Sequence, residues 1–113
     1  MKVKTQDLIG AALDWAVASY ADKHVTRKDI HWGNYSPSTD WAQGGPIIDR
    51  EIREAGLDIW SRCSPVPDGL CAATYTRGVP DCYIYGPTPL IAAMRCYVAS
   101  KLGYEIDIPK ELT

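Results

Sequence analysis

Apolar positions along the chain fall into two rhythms, and the switches between them outline the elements. Over residues 6–21, Leu8, Ala12, Trp15, Ala16 and Ser19 recur at helical spacing beside a second stripe of Ile9, Leu13, Val17 and Tyr20. So wide an apolar face predicts a helix packed on two sides, with Trp15 in the core. Thr5 is read as its cap, and Asp7 lies in the first turn, where the helix dipole favours an acid. The rhythm lapses over 22–34. There Ile30-His31-Trp32 reads as a short strand or a lead-in to a loop, and Gly33-Asn34 as a turn. Helical spacing returns with Ile47, Ile48, Ile52 and Ala55, predicting a helix over 46–55 with Pro46 as its first residue and Gly56 ending it.

Residues 57–61 alternate apolar and polar positions, as a half-buried strand does. Residues 70–76, with Tyr75 and two Thr, and residues 82–85 predict two more strands. The turn over 77–81 is short enough to make them an antiparallel hairpin. Thr88 then caps, and Pro89 opens, the clearest helix of the chain. It is marked by Leu90, Ile91, Met94, Tyr97, Val98 and Leu102 and ended by Gly103. A short strand over 105–109 closes the series. The pattern predicts a small α+β fold, one domain over residues 1–113. About three helices pack on a short, mainly antiparallel sheet of three to four strands.

Two polar stretches, 35–46 and 85–89, each lead into a helix, and the chemistry concentrates there. A helix N-terminus offers free amide donors and a partial positive charge, which suit phosphate or carboxylate. Ser36, Ser38, Thr39, Asp40 and Thr88 supply hydrogen-bonding groups, and Gly44 and Gly45 would let a ligand approach the backbone closely. Trp32, Tyr35, Trp41 and Tyr85 are candidates to stack on a flat base. Arg50 and Arg95 are candidates to neutralise an anion. Helix caps and turns select the same Ser, Thr, Gly and Pro, so a purely structural or partner-binding loop is the competing reading. There is no P-loop and no dinucleotide-binding glycine fingerprint.

Composition narrows the function further. The chain has 113 residues, a net charge of −2 and no Phe; four Trp and seven Tyr carry the aromatic surface and suit half-wet sites. Lys and Arg are scattered, and the Arg27-Lys28 pair is diluted by Asp22 and Asp29, which argues against nucleic acid. No apolar run is long enough to cross a membrane, and the N-terminus lacks the apolar core of a signal peptide. Cys63, Cys71, Cys82 and Cys96 match neither zinc nor redox spacing and read as reduced thiols. His24 and His31 stand without metal-ligand spacing and read as ordinary surface or loop residues, so no cofactor is implied.

Three blocks give the chain a resemblance: residues 8–17 (LIGAALDWAV), 35–50 (YSPSTDWAQGGPIIDR) and 85–103 (YGPTPLIAAMRCYVASKLG). With these it resembles the NinX-like proteins of lambdoid and related tailed phages and of prophages. The resemblance implies a small phage accessory protein acting in the host cytoplasm. It implies no reaction and carries over no catalytic residue.

The expected function is a non-enzymatic binder of a small anionic ligand such as a nucleotide. The analogy is with small phage proteins that hold nucleotide signals of host immunity without cleaving them. A homo-oligomer with pockets completed between subunits is the expected assembly. The alternative is an interaction module for a host or phage protein, in which exposed Trp and Tyr serve as hot spots. An enzyme is disfavoured. Asp40, Ser36 and Ser38 lack an adjacent base other than His31, and no hydrolase, zinc-protease or paired-acid motif occurs.

Overall fold

The computed structural model describes residues 2–21, 24–61, 71–75 and 84–112. Strand β1 (Lys2–Lys4) leads into a single 3-10 turn, Thr5–Asp7, and helix α1 (Gly10–Ala21) follows. The first helix therefore begins four residues later than its apolar stripes predict, and Thr5 does not cap it. A long-range demand overrides the local signal: the Thr5 amide donates to the Tyr104 carbonyl at 2.8 Å and its hydroxyl to the Gly103 carbonyl at 2.7 Å. The backbone stays extended at Leu8 and turns at Gly10, whose φ of 58° favours glycine. Trp15 is half-buried at the margin of the core.

Helix α2 (Arg27–His31) occupies the stretch read as a strand or lead-in. A reciprocal cap explains it: the Thr26 hydroxyl accepts from the Asp29 amide, and the Asp29 carboxylate accepts from the Thr26 amide at 2.9 Å. Helix α3 (Trp41–Ala55) also departs from expectation, starting five residues before Pro46. Asp40 is its cap, accepting from the Ala42 amide at 3.0 Å. Gly44, Gly45 and Pro46 are thus helical, not the end of a loop. Pro46 lacks the amide that would bond the Ala42 carbonyl, and Ala42 is exposed to solvent. Gly56 ends the helix at φ 74°, as its position predicts.

Strands β2 (Leu57–Ser61), β3 (Cys71–Tyr75) and β4 (Ile84–Gly86) form one antiparallel sheet in that order. Leu57 faces Tyr75 across the first pair and Cys71 faces Gly86 across the second. The predicted turn over 77–81 lies outside the described residues, as do Cys63 and Cys82. Helix α4 (Pro89–Leu102) follows with Thr88 as its cap and Pro89 at its first position, as predicted. Strand β5 (Glu105–Asp107) pairs with β1 in a second antiparallel sheet, with Lys2 opposite Asp107, and a 3-10 turn, Lys110–Leu112, follows. The result is an α+β domain with three long helices and two small antiparallel sheets.

Every residue from Leu90 to Val98 is buried. A helix apolar all round belongs in the middle of a fold, and α4 packs against α1, α3 and all three strands of the larger sheet. Cys71 and Cys96 are buried in this core.

Candidate functional site

The loop before α3 is a closed hydrogen-bonded unit. The amides of Thr39 and Asp40 donate to the Ser36 carbonyl at 3.1 and 2.8 Å. Gln43 closes the turn from the helix side: its Nε2 donates to Asp40 Oδ2 at 3.2 Å, and its Oε1 accepts from the Ser36 amide at 2.8 Å. The loop is also tied down from below. Ser38, 1% exposed, donates its amide to Asp14 Oδ1 on α1 at 2.9 Å. Burial pushes the Asp14 carboxyl above its usual range, while the Ser38 hydroxyl and amide hold it down. The Ser38 hydroxyl leans on that carboxylate without reaching hydrogen-bond geometry.

Gly44 lets α3 close on this loop. A β-carbon there would fall on the Pro37 carbonyl oxygen and 2.8 Å from Leu90 Cδ1 of α4. Gly86 does the same for the second stretch, since its β-carbon would lie 2.7 Å from the Ala92 amide nitrogen. The Thr88 hydroxyl caps α4 by accepting from the Ile91 amide at 3.1 Å.

These close approaches bring the starts of α3 and α4 together. Between them lies an open cleft of about 180 Å³ lined by Ser38, Thr39, Trp41, Thr88, Leu90 and Ile91. Thr39 and Thr88 are exposed, and Trp41 keeps 55% of its surface free. Both helix starts are already capped, one by the carboxylate of Asp40. Among the described residues no cationic side chain lines the cleft. Its chemistry is apolar and hydroxylic rather than that of a strong anion trap.

Of the thirteen residues singled out from the sequence, Ser38, Thr39, Trp41 and Thr88 meet in the cleft. Asp40 and Ser36 hold its loop, and Gly44 sits inside α3 as a packing contact; Gly45 is helical beside it. Trp32 caps the end of α2, 75% exposed, and Tyr35 packs half-buried against the core. Neither lines the cleft. Tyr85 is half-buried on β4, with its amide and carbonyl both bound by Gln6, at 3.0 and 2.6 Å.

Neither arginine reaches the cleft. Arg95 is 8% exposed and spans two backbone carbonyls: Nε donates to Leu8 at 2.7 Å and Nη1 to Tyr85 at 2.8 Å. Burial pulls its pKa down and the charge of Asp7 opposes that. Arg50 is exposed on α3 beside Glu51. Sequence reasoning passed over Asp14, Gln43, Leu90 and Ile91. Asp14 carried a signal, an acid between Leu13 and Trp15 in an apolar stretch. Leu90 and Ile91 carried none, because they read as core.

Among the described residues no three of His, Cys, Asp or Glu stand close enough together to hold a metal ion. No helix among them is long and apolar enough to cross a membrane. No curated protein matches the chain. The family described as bacteriophage P22 NinX matches residues 4–101, nearly the whole of the fold just described. The chain belongs to this NinX family of phage proteins.

Proposed function

We propose that this phage accessory protein acts in the host cytoplasm as a non-catalytic binder of a small ligand with a flat ring, a nucleotide signal of host immunity, which it sequesters rather than cleaves. The observation supporting this most is the convergence of two helix starts, far apart in sequence, on one open cleft lined by a half-exposed tryptophan. Stacking a base on an aromatic ring contributes about 1–3 kcal/mol, and the exposed Trp41 ring needs no rearrangement to receive one. The hydroxyls of Thr39 and Thr88 and the first-turn amides of Trp41 and Leu90 are the polar partners for a base edge. A cleft of about 180 Å³ is small beside the roughly 300–1,000 Å³ of sites that enclose drug-sized ligands. It suits a base, leaving sugar and phosphate toward solvent or toward a second protomer of a homo-oligomer.

Calorimetric titration with linear and cyclic nucleotides tests this, run on wild type and Trp41→Ala. Saturable binding that disappears in Trp41→Ala, with its melting temperature nearly unchanged and the nucleotide recovered intact, supports the reading. Absence of nucleotide binding, or conversion of the nucleotide beyond contaminant controls, refutes it.

One observation favours a second reading, an interaction module for a host or phage protein. Trp32 and Trp41 are 75% and 55% exposed, and tryptophan is enriched among interface hot spots. On that reading Trp32→Ala and Trp41→Ala both lose a protein partner, and nucleotides leave the melting temperature unmoved.

A further inference from the structure

A second polar cluster gathers side chains from α1, α3, β3 and α4, and none of its residues lines the cleft. At its centre is Glu51 of α3, a carboxylate only 4% exposed. The Tyr75 hydroxyl donates to Glu51 Oε1 at 2.9 Å, and Lys101 Nζ lies 3.2 Å from the same oxygen. Arg50 Nε stands 3.7 Å from Oε2. Lys101 Nζ is also 5.7 Å from the ring centroids of both Tyr20 and Tyr97, and those rings meet edge-on at 5.9 Å.

Two features of this cluster are unexplained by packing. The first is charge: one carboxylate faces two cations, so the group carries a net single positive charge. Neither cation is used up, since an ammonium has three donors and a guanidinium five. Both also reach solvent, with the Arg50 side chain 51% and the Lys101 side chain 26% exposed. The second is the Tyr97 hydroxyl. Tyr97 is 1% exposed, and its hydroxyl has no hydrogen-bond partner among the described residues. Burial pushes the phenol up, so it remains a donor; the charge of Arg50 reaches it and pulls the other way, short of hydrogen-bond geometry. An unpaired buried donor is costly unless a further group satisfies it.

We propose that Arg50, Lys101 and the Tyr97 hydroxyl form an anion site that takes a phosphate group. A dianionic oxyanion offers acceptors to a guanidinium, an ammonium and a hydroxyl at once, and it offsets the excess positive charge. Glu51 is the repulsive group of the cluster, and Tyr75 and Lys101 already engage its Oε1. In this arrangement Glu51 and Tyr75 position Lys101. The Tyr20 ring, 48% exposed, lies where an aromatic substituent on the phosphate would stack. Free phosphate and an aromatic phosphomonoester share this chemistry.

The test titrates the full-length protein with inorganic phosphate and, separately, with phenyl phosphate, at ionic strength matched with chloride, following amide chemical shifts. Saturable shifts centred on residues 50, 97 and 101 are expected from both probes. Tighter binding of phenyl phosphate identifies an aromatic phosphomonoester as the better fit, and equal binding identifies phosphate itself. Arg50→Gln, at an exposed position, should weaken binding about tenfold. Tyr97→Phe should weaken it as well, yet raise the melting temperature in the absence of phosphate, because it removes an unpaired buried hydroxyl. A hydroxyl with only a packing role would change stability and leave affinity alone. Absence of saturable shifts, or unchanged affinity in either variant, overturns the proposal.

Discussion

Exchanging Gly44 and Gly45 one at a time for alanine should change stability by very different amounts. Both lie inside α3, and in a helix interior alanine is favoured over glycine by about 0.5–1 kcal/mol. At Gly45 no atom beyond the chain neighbours opposes that gain, the nearest being Trp41 Cε3 at 4.0 Å, but the ring of Pro46 crowds a β-carbon on the helical residue before it. The two effects oppose each other, so Gly45→Ala should stay within about 0.5 kcal/mol of wild type. At Gly44 the methyl falls on the Pro37 carbonyl and 2.8 Å from Leu90 Cδ1. Leu90 can rotate away. Pro37 is backbone, held by the neighbouring Ser38–Asp14 hydrogen bond, so α3 must retreat from the loop.

Overpacking costs about 1–3 kcal/mol, and a backbone obstacle belongs in the upper half of that range. Subtracting the helix-propensity gain leaves a net loss of about 2 kcal/mol. Unfolding entropy of about 2.1 cal/mol/K per residue converts each kcal/mol to roughly 4 °C for a chain this long, so the midpoint should fall by about 8 °C. Urea and thermal unfolding followed by far-UV circular dichroism measure both changes. If Gly44→Ala proves as stable as Gly45→Ala, then α3 does not begin at Trp41 and the cleft wall is not built as described.

Thr88→Ala should cost about 1 kcal/mol in the same assay through loss of the α4 cap, with Thr88→Ser recovering most of it. Arg95→Met leaves the carbonyl of the fully buried Leu8 without its donor; a loss of about 2–3 kcal/mol is expected from urea unfolding, and a change under half a kcal/mol would show that the bridge to Leu8 is dispensable. Asp14 gives a pH signature. Its folded pKa lies above the 3.8 of the unfolded chain, so its contribution to stability is full below pH 3.8 and is lost as pH rises through the folded value. Asp14→Asn abolishes that loss, so the stability of the variant relative to wild type should climb with pH from below 3.8 toward neutrality; a flat difference across that window contradicts the assignment of Asp14 as the buried acid.

Local chemistry was enough to read some elements directly. The stretch from Thr88 to Gly103 carries a cap, a proline at the first helical position, a long apolar run and a terminal glycine, and α4 follows that reading closely. The alternation over 57–61 gives β2, and Gly56 ends α3 with the left-handed backbone its position requires. These signals act within a few residues of one another, so composition and spacing reveal them. Asp40, Ser38 and Thr88 were legible as polar groups at helix starts for the same reason.

What the tertiary structure decided depends on contacts between segments far apart in sequence. Gly44, Gly45 and Pro46 read locally as the end of a loop; they are helical because Asp40 caps α3 early and the absence of a side chain at Gly44 lets the helix close on Pro37 and Leu90. Thr5 reads as a helix cap, but its amide and hydroxyl are claimed by Tyr104 and Gly103, nearly the whole chain away. Arg95 and Arg50 look alike in sequence as free cations. Packing binds the first to two carbonyls and sets the second beside a buried glutamate. The sequence by itself determined the α+β class, the central helix and the polar character of two helix starts, because propensity and periodicity are local. Only the tertiary structure decided that those two starts share one cleft and that the arginines lie elsewhere, because hydrogen bonds and close packing across the fold outweigh the preferences of any short segment.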